Sequence, residues 1–531
     1  MLIARPLLAT HSKTLNCEVA DDVRRRIPWR ITICCPPRYL GGYFLNGLLG
    51  LACLGVLPAF GQMTAPEVMT VVAQAATRAA QVSPNSVIAV VDREGFVLAV
   101  WGLGTNTSAS AATIGAAVSK AGTAAFLSSN EEALTSRTAG FIVQQNFPPG
   151  VENKPPGPLV GVNFSNLPFS DVNRFKGLAG YVPGLNGGVN GTPVPNTSLA
   201  GSPGGVPLYR NGVLIGGVGV TGDGSENLQI EQTPDTDEDV ALAGQTGFAP
   251  PEKILGSHIL IDGIRVPYVE TSTSLGTVAP LGSIGSALPG YAPAASPGPI
   301  TYPALVLGGL TGEVRQPIIS DPAPGLINGQ ARLNSGEVMG ILDLAARRAR
   351  TTRAGIRLPR GRAAQVFITV VNNPAADGLT PVVLGTFRTP DATMFSWDVA
   401  VQKARTVVFF SNDTRAYSTR TVGFLAQSMY PPGISGTAPG IFNGLQERFS
   451  IAPPNPNLTN GITIFPGGFP LYRNGALVGA VGVSGDGIDQ DDLIAASGAA
   501  NFLASDAIRG DRFGYRGARL PYAKFPRNPA L

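Results

Sequence analysis

The sequence predicts an α+β protein built from two copies of one antiparallel-sheet domain. Three observations carry that prediction. First, a 22-residue segment is written twice: PGGVPLYRNGVLIGGVGVTGDG at 203–224 and PGGFPLYRNGALVGAVGVSGDG at 466–487 agree at 17 of 22 positions without a gap. Second, further landmarks repeat in the same order. TSRTAGFIVQQNFPPGV at 135–151 matches STRTVGFLAQSMYPPGI at 418–434, Glu67-Val68-Met69 matches Glu337-Val338-Met339, and Gly263–Tyr268 matches Gly517–Tyr522. Third, apolar residues alternate between helical and strand periods within each copy, in the order helix, hairpin, helices, hairpin, helix.

The elements follow in chain order. Glu67–Ala80 has apolar residues at helical spacing and opens after Thr64, a suitable N-cap. Val87–Val91 and Phe96–Trp101 are β-branched runs joined by Asp92-Arg93-Glu94-Gly95, a hairpin with glycine at its turn. Ala109–Ser128 reads as a helix of small residues and Glu131–Asn146 as a further helix. After a Gly/Pro/Asn loop, Val206–Tyr209 and Val213–Val220 form a second hairpin around Asn211-Gly212. In the second copy Asp489–Phe502 reads as a closing helix. Residues 273–330 are rich in Pro, Gly, Ala and Ser, and read as a wrapped linker because apolar patches such as Tyr302–Leu310 persist. The resulting organisation is a leader at 1–61, a first domain at 62–255, a strap and linker at 256–330, a second domain at 331–510 and a C-terminal strap at 511–531.

The net charge and the thiols are confined to the leader. The chain has 531 residues and a formal charge of +4. Residues 1–61 hold seven Lys/Arg and three acids, so 62–531 is neutral, with 32 of each sign. All four cysteines (Cys17, Cys34, Cys35, Cys53) lie in the same stretch. Leu45–Leu57 is a 13-residue apolar run, short for a membrane span, followed by Ala59-Phe60-Gly61 with small residues where a signal peptidase reads. The expectation is a secretory signal and a secreted or periplasmic protein, with the membrane involved only through an uncleaved leader. A neutral body carries no broad attraction to nucleic acid.

At this point the residues resemble a known family. SVIAVVDREGFVLAV (86–100), followed by a helix bearing Ala-Val-Ser-Lys-Ala-Gly-Thr-Ala-Ala-Phe (117–126), is similar to the first signature of the GlcG/HbpS-like haem-degrading family. The closing PGGxPLYRNGxLxGxVGVxGDG, with Asp491-Asp492 opening a helix, resembles its second signature. Both signatures occur twice, over roughly 62–250 and 331–505. The resemblance implies two tandem profilin-like domains, self-association, and binding of haem or a related tetrapyrrole.

Candidate site residues come in matched pairs. Lys120 and Lys403 occupy the family's Lys-Ala helix position, where an ammonium either pairs with a propionate or other carboxylate of a ligand, or is simply exposed or salt-bridged within the chain. Arg137 and Arg420 are placed either to clamp a carboxylate bidentately or to bridge helix to loop. Haem iron is usually held by His, Cys, Met or Tyr, and His258 is the one histidine after residue 61. The matched alternatives are Tyr209 with Tyr472, or Met69 with Met339; otherwise haem is held by apolar contact alone. The identity of any metal ligand is open.

Other constellations are weaker. Gly217-Val-Gly219-Val-Thr-Gly222 spells G-x-G-x-x-G, but it lies inside a strand, where glycine serves close approach of a helix or ligand. Asp237-Glu238-Asp239, and Asp489 with Asp491 and Asp492, could hold Ca²⁺ or favour a helix N-terminus. Asp92 is replaced by Asn372 in the second copy, as a turn residue allows. Residues 62–531 contain no cysteine, and their single histidine lacks a recognisable serine-partner motif, which disfavours a nucleophilic triad and rules out a Cys/His zinc site. The functional expectation is a binding protein for haem, another tetrapyrrole or a small carboxylate ligand. The alternatives are a structural assembly module and an enzyme acting on a small hydroxy- or oxo-acid, with catalysis the least favoured.

Overall fold

The computed structural model describes residues 62–524 except 145, 152–153, 155–156, 161–196, 229–230, 298–301, 356–360, 377, 446–457 and 459. The leader therefore lies outside the described residues.

Each repeat starts with a capped amphipathic helix. In α1 (Ala65–Val82) the Thr64 hydroxyl accepts from the Glu67 amide while the Glu67 carboxylate accepts from the Thr64 amide, a reciprocal capping box. Its buried face is Val68, Val71, Val72, Ala75 and Ala79. Asn334 and Glu337 close the same box on α5 (Ser335–Thr351).

The strands of the first repeat are β1 (Val87–Asp92), β2 (Val97–Gly102), β3 (Gly205–Arg210) and β4 (Val213–Thr221). Their sheet runs β3-β4-β1-β2, all antiparallel. In the second repeat, β10 (Phe367–Asn372), β11 (Val383–Arg388), β12 (Gly468–Arg473) and β13 (Ala476–Ser484) give β12-β13-β10-β11. The registers coincide: Val87 faces Thr221 as Phe367 faces Ser484. Register shifts recur at Val90/Val91 and Val370/Val371, and at Leu208/Tyr209 and Leu471/Tyr472. Both Asn-Gly turns have positive φ at both residues, as a tight hairpin requires.

Helices cover both faces of each sheet. On the first, α1 and α4 (Thr236–Gly244) pack on one side and α2 (Ala111–Leu127) on the other; on the second, α5 and α8 (Ile488–Gly498) face α6 (Phe395–Phe410). This is a profilin-like α+β arrangement, present twice. The glycines of β4 bring α2 into contact with the sheet backbone. A Cβ on Gly219 would lie 2.2 Å from the Ala117 carbonyl oxygen, and one on Gly482 would lie 2.1 Å from that of Ala400. The G-x-G-x-x-G spelling thus serves helix packing.

Three predicted features come out differently. Among the described residues of 131–146, only Ser136–Ile142 is helical (α3; α7 is Thr419–Leu425). Ala133 instead pairs with the chain at Ile254–Gly256, and Thr135 rather than an earlier residue caps the helix. The closing helix ends at Gly498, with a short 3₁₀ turn to Asn501. The linker, predicted only to wrap, extends both sheets. β7 (Ser286–Ala287) adds to β2, and the hairpin of β8 (Ala304–Leu307) and β9 (Leu310–Gln316) adds to β11.

The straps are two small hairpins, β5 (Leu260–Ile261) with β6 (Ile264–Arg265), and β14 (Gly514–Tyr515) with β15 (Ala518–Arg519). The capping hydroxyls of α3, on Thr135 and Thr138, donate to the carbonyls of Tyr268 and Pro267; those of Ser418 and Thr421 do the same for Tyr522 and Pro521.

The repeats meet in an apolar and an ionic layer. One buried apolar cluster runs from Val97, Phe126 and Phe141 to Phe367, Phe395 and Trp397. Around it Arg93 pairs with Asp391, Arg315 with Glu94 and Glu313, and Arg388 with Glu313. Among the described residues no helix is long and apolar enough to cross a membrane.

Candidate functional site

Small residues flank Lys120 along α2 (Ala116, Ala117, Ser119, Ala121, Gly122, Thr123 and Ala124), and its side chain lies between the helix, the sheet and α4. Its ammonium is fully buried and 2.9 Å from a carboxylate oxygen of Asp237, itself fully buried. A second carboxylate, on the half-exposed Glu226, lies 2.9 Å away. In the second repeat Lys403 is held 2.8 Å from Asp491 and donates to the Val483 carbonyl. Burial raises the Asp237 carboxyl above its ordinary range, and the Lys120 ammonium pulls it part of the way back.

The matched arginines stand beside this pair. Arg137 grips Glu238 through two nitrogens, at 2.7 and 3.1 Å, and Glu238 also accepts the Glu270 amide of the strap. Arg420 binds Asp492 at 2.9 Å and Asp489 at 2.7 Å, and Asp492 accepts the Lys524 amide. Burial raises the Asp492 carboxyl, whereas at Asp489 the neighbouring Lys524 and Arg420 outweigh burial and lower it. The adjacent acids at the start of α4 and α8 are therefore partners of the lysine and arginine. Asp235 is the N-cap, accepting the amides of Asp237 and Glu238.

The remaining candidates point elsewhere. The Tyr209 hydroxyl is buried and donates to the carbonyls of Ser129 and Glu132; that of Tyr472 donates to Asn412 and Arg415. Burial raises both phenols. Met69 and Met339 are exposed on the outer faces of α1 and α5, and His258 is exposed on the strap. Among the described residues no group of three or more His, Cys, Asp or Glu is placed to hold a metal ion.

Open concave features among the described residues include two of note. A cleft of about 450 Å³ lies over α2, lined by the apolar Ala112, Ala116, Ala200, Gly201 and Leu228 and by the polar Ser119, Ser198, Ser202, Glu226 and Asn227. A larger groove of about 820 Å³ lies on the second repeat between Leu326–Asn328, the β10–β11 turn and Asn412–Thr414. The corresponding end of the first repeat is covered. There Arg93 and the Asn130 amide bind Asp391, and Glu131 pairs with Arg362.

The family model for "Haem degrading protein HbpS-like" matches residues 63–244 and 352–500, and the chain belongs to that family. Similar solved structures include a PduOC–haem complex, 24% identical, covering 33% of this chain and 98% of that one at a TM-score of 0.24. The Klebsiella pneumoniae protein ORFY is 23% identical over 34% of this chain and 100% of that one, at 0.24. A double mutant of Streptomyces reticuli HbpS is 23% identical over 34% and 97%, at 0.22. No curated protein matches.

Sequence reasoning found the lysines and arginines but missed the cleft and the ionic partners. The available signal for the partners was the adjacency of two acids, Asp237-Glu238 and Asp491-Asp492, at the same place in both repeats.

Removing one member of a buried ion pair strands the other, at about 3–5 kcal/mol. Lys120→Ala and Lys403→Ala should each lower unfolding free energy by that amount in denaturant titrations, and Lys120→Met with Asp237→Leu should recover most of it. A loss below about 1 kcal/mol would contradict the buried pairing.

Asp92 gives a pH-dependent prediction. Its carboxylate accepts the amides of Glu94 and Phe96, and burial pushes it up to about 7 from 3.8. Between those values the folded chain holds a proton that the unfolded chain has released. Stability from this group therefore falls as pH rises through the window, by up to about 4 kcal/mol. Asp92→Asn, the residue type of Asn372, should gain on the wild type as pH goes from 5 to 8 in matched denaturation curves; an equal difference at both would refute this.

Proposed function

We propose that the protein binds a small amphipathic molecule, apolar on its faces and polar at its edge, in the first-repeat cleft, and that tetrapyrroles are its ligand class. The observation that carries this is the cleft itself, within the size range of ligand pockets and lined about equally by small apolar groups and by polar ones (Ser119, Ser198, Ser202, Glu226 and Asn227). Membership of a haem-related family supports the choice of class.

Iron is not what the cleft recognises. None of its described lining residues is His, Cys, Met or Tyr, so those residues do not fit an axially ligated haem. A tetrapyrrole would be held by its faces and edge. A ligand carboxylate reaches Lys120 only by displacing Glu226, which is the more exposed of that lysine's two partners.

Absorbance titration of the full chain with haemin and with iron-free protoporphyrin IX tests this. Both should bind with affinities within about tenfold, because the metal adds no bond. Binding of neither, or of haemin alone, would overturn the reading.

Export and self-association complete the proposal. The leader pattern before Gln62 supports export. The second-repeat groove supports self-association, because its counterpart is already covered and it exposes Leu326, Leu379 and Phe409. Protein recovered outside the producing cell should begin near Gln62 and sediment as more than one chain. Retention of the leader inside the cell, or a monomer at all concentrations, would count against the respective part.

A further inference from the structure

The two repeats share a backbone frame, so their clefts can be compared position by position. Lys120 aligns with Lys403 on the helix, and the Ala117 and Ala400 carbonyls face Gly219 and Gly482. On the strand side, the amide of Ala200 donates to Thr123 just as that of Thr463 donates to Thr406. A Cβ on Gly140 would strike the Gly201 carbonyl, and one on Gly423 that of Ile464.

With that alignment, six residues lining the first cleft each have a larger counterpart. Ala112, Ala116 and Ser119 on α2 become Phe395, Val399 and Gln402 on α6. Ala200, Gly201 and Ser202 become Thr463, Ile464 and Phe465. Phe395 and Val399 are each 2% exposed. Gln402 donates to the Asn460 carbonyl, and Asn460 in turn bonds Asp398 and Arg405. The segment from Gly224 to Asp237 that carries Glu226 shrinks to Gly487–Asp491 in the second repeat.

We propose that the second repeat is a closed copy, its cleft filled by its own side chains, so that the chain offers one cleft and one scaffold half. The same large residues have a second role. Phe395, Trp397 and Val399 belong to the apolar cluster that continues into the first repeat through Val118, Phe126 and Phe141. Filling the second cleft thus builds the joint that supports the first. This inference rests on the proposed binding reading for its function but not for its geometry.

Single thiols separate the two. All four native cysteines lie in 1–61, so the full chain with Cys17, Cys34, Cys35 and Cys53 changed to serine has none. Ala116→Cys and Val399→Cys then place a thiol at equivalent positions. A small maleimide should modify the first more than about tenfold faster than the second, whose access needs local opening. Protoporphyrin IX should bind at one equivalent per chain and be lost on modification of Ala116→Cys. Rates within about twofold, or two equivalents bound, would overturn the inference. Unequal rates with no porphyrin bound would leave the closed second repeat standing and defeat the binding function instead.

Discussion

A charge buried away from water has to be neutralised in place, and the ammonium at the centre of each repeat imposes that requirement on everything around it. Lys120 reaches its position because most of its neighbours on α2 are small and the helix lies directly on the glycines of β4. Its partner Asp237 is supplied by the first turn of α4, from the opposite end of the domain sequence. The pair therefore ties helix, sheet and closing helix together, and Arg137 with Glu238 extends the tie to the strap. Lys403, Asp491, Arg420 and Asp492 repeat the device.

This constraint separates what the repeats must share from what they are free to change. The inner face of α2 and α6 faces glycine and the buried pair, and it is nearly the same in both. The outer face meets no such demand. In the first repeat it stays small and leaves a cleft; in the second it carries Phe395, Trp397 and Gln402, which fill space and join the halves. The covered and open ends of the sheets differ in the opposite sense. Arg93 and Asn130 meet Asp391 in the first repeat, whereas Asn373 and Asp413 border an open groove in the second.

Much of the frame was legible because local rules produce it. Capping boxes, β-branched runs and Asn-Gly turns are written within a few residues of where they act, and the repeat supplied each twice. The parts that were not legible depend on distant partners. Lys120 and Asp237 are 117 residues apart, and no local pattern joins them. The strands β7 and β9 form because an exposed sheet edge recruits linker backbone, which Pro- and Gly-rich composition conceals. Residues 131–135 carry a helical pattern, but Ala133 pairs instead with the chain at Ile254 and Gly256. The cleft was hidden for a different reason: it is a property of small residues, and it becomes visible only when Ala112 and Ala116 are set against Phe395 and Val399. Tyr209 and Tyr472 were attractive as matched aromatics, yet their hydroxyls are committed to backbone carbonyls.

The central claim is that one repeat carries an open site and the other supports it. Alanine-methyl NMR of the chain during addition of protoporphyrin IX tests this most directly, since alanines line both helices. The account predicts shifts at Ala112, Ala116 and Ala200, with the methyls of Ala400 and Ala404 on α6 unmoved. Equal shifts on the two helices, or shifts confined to the second repeat, would contradict it.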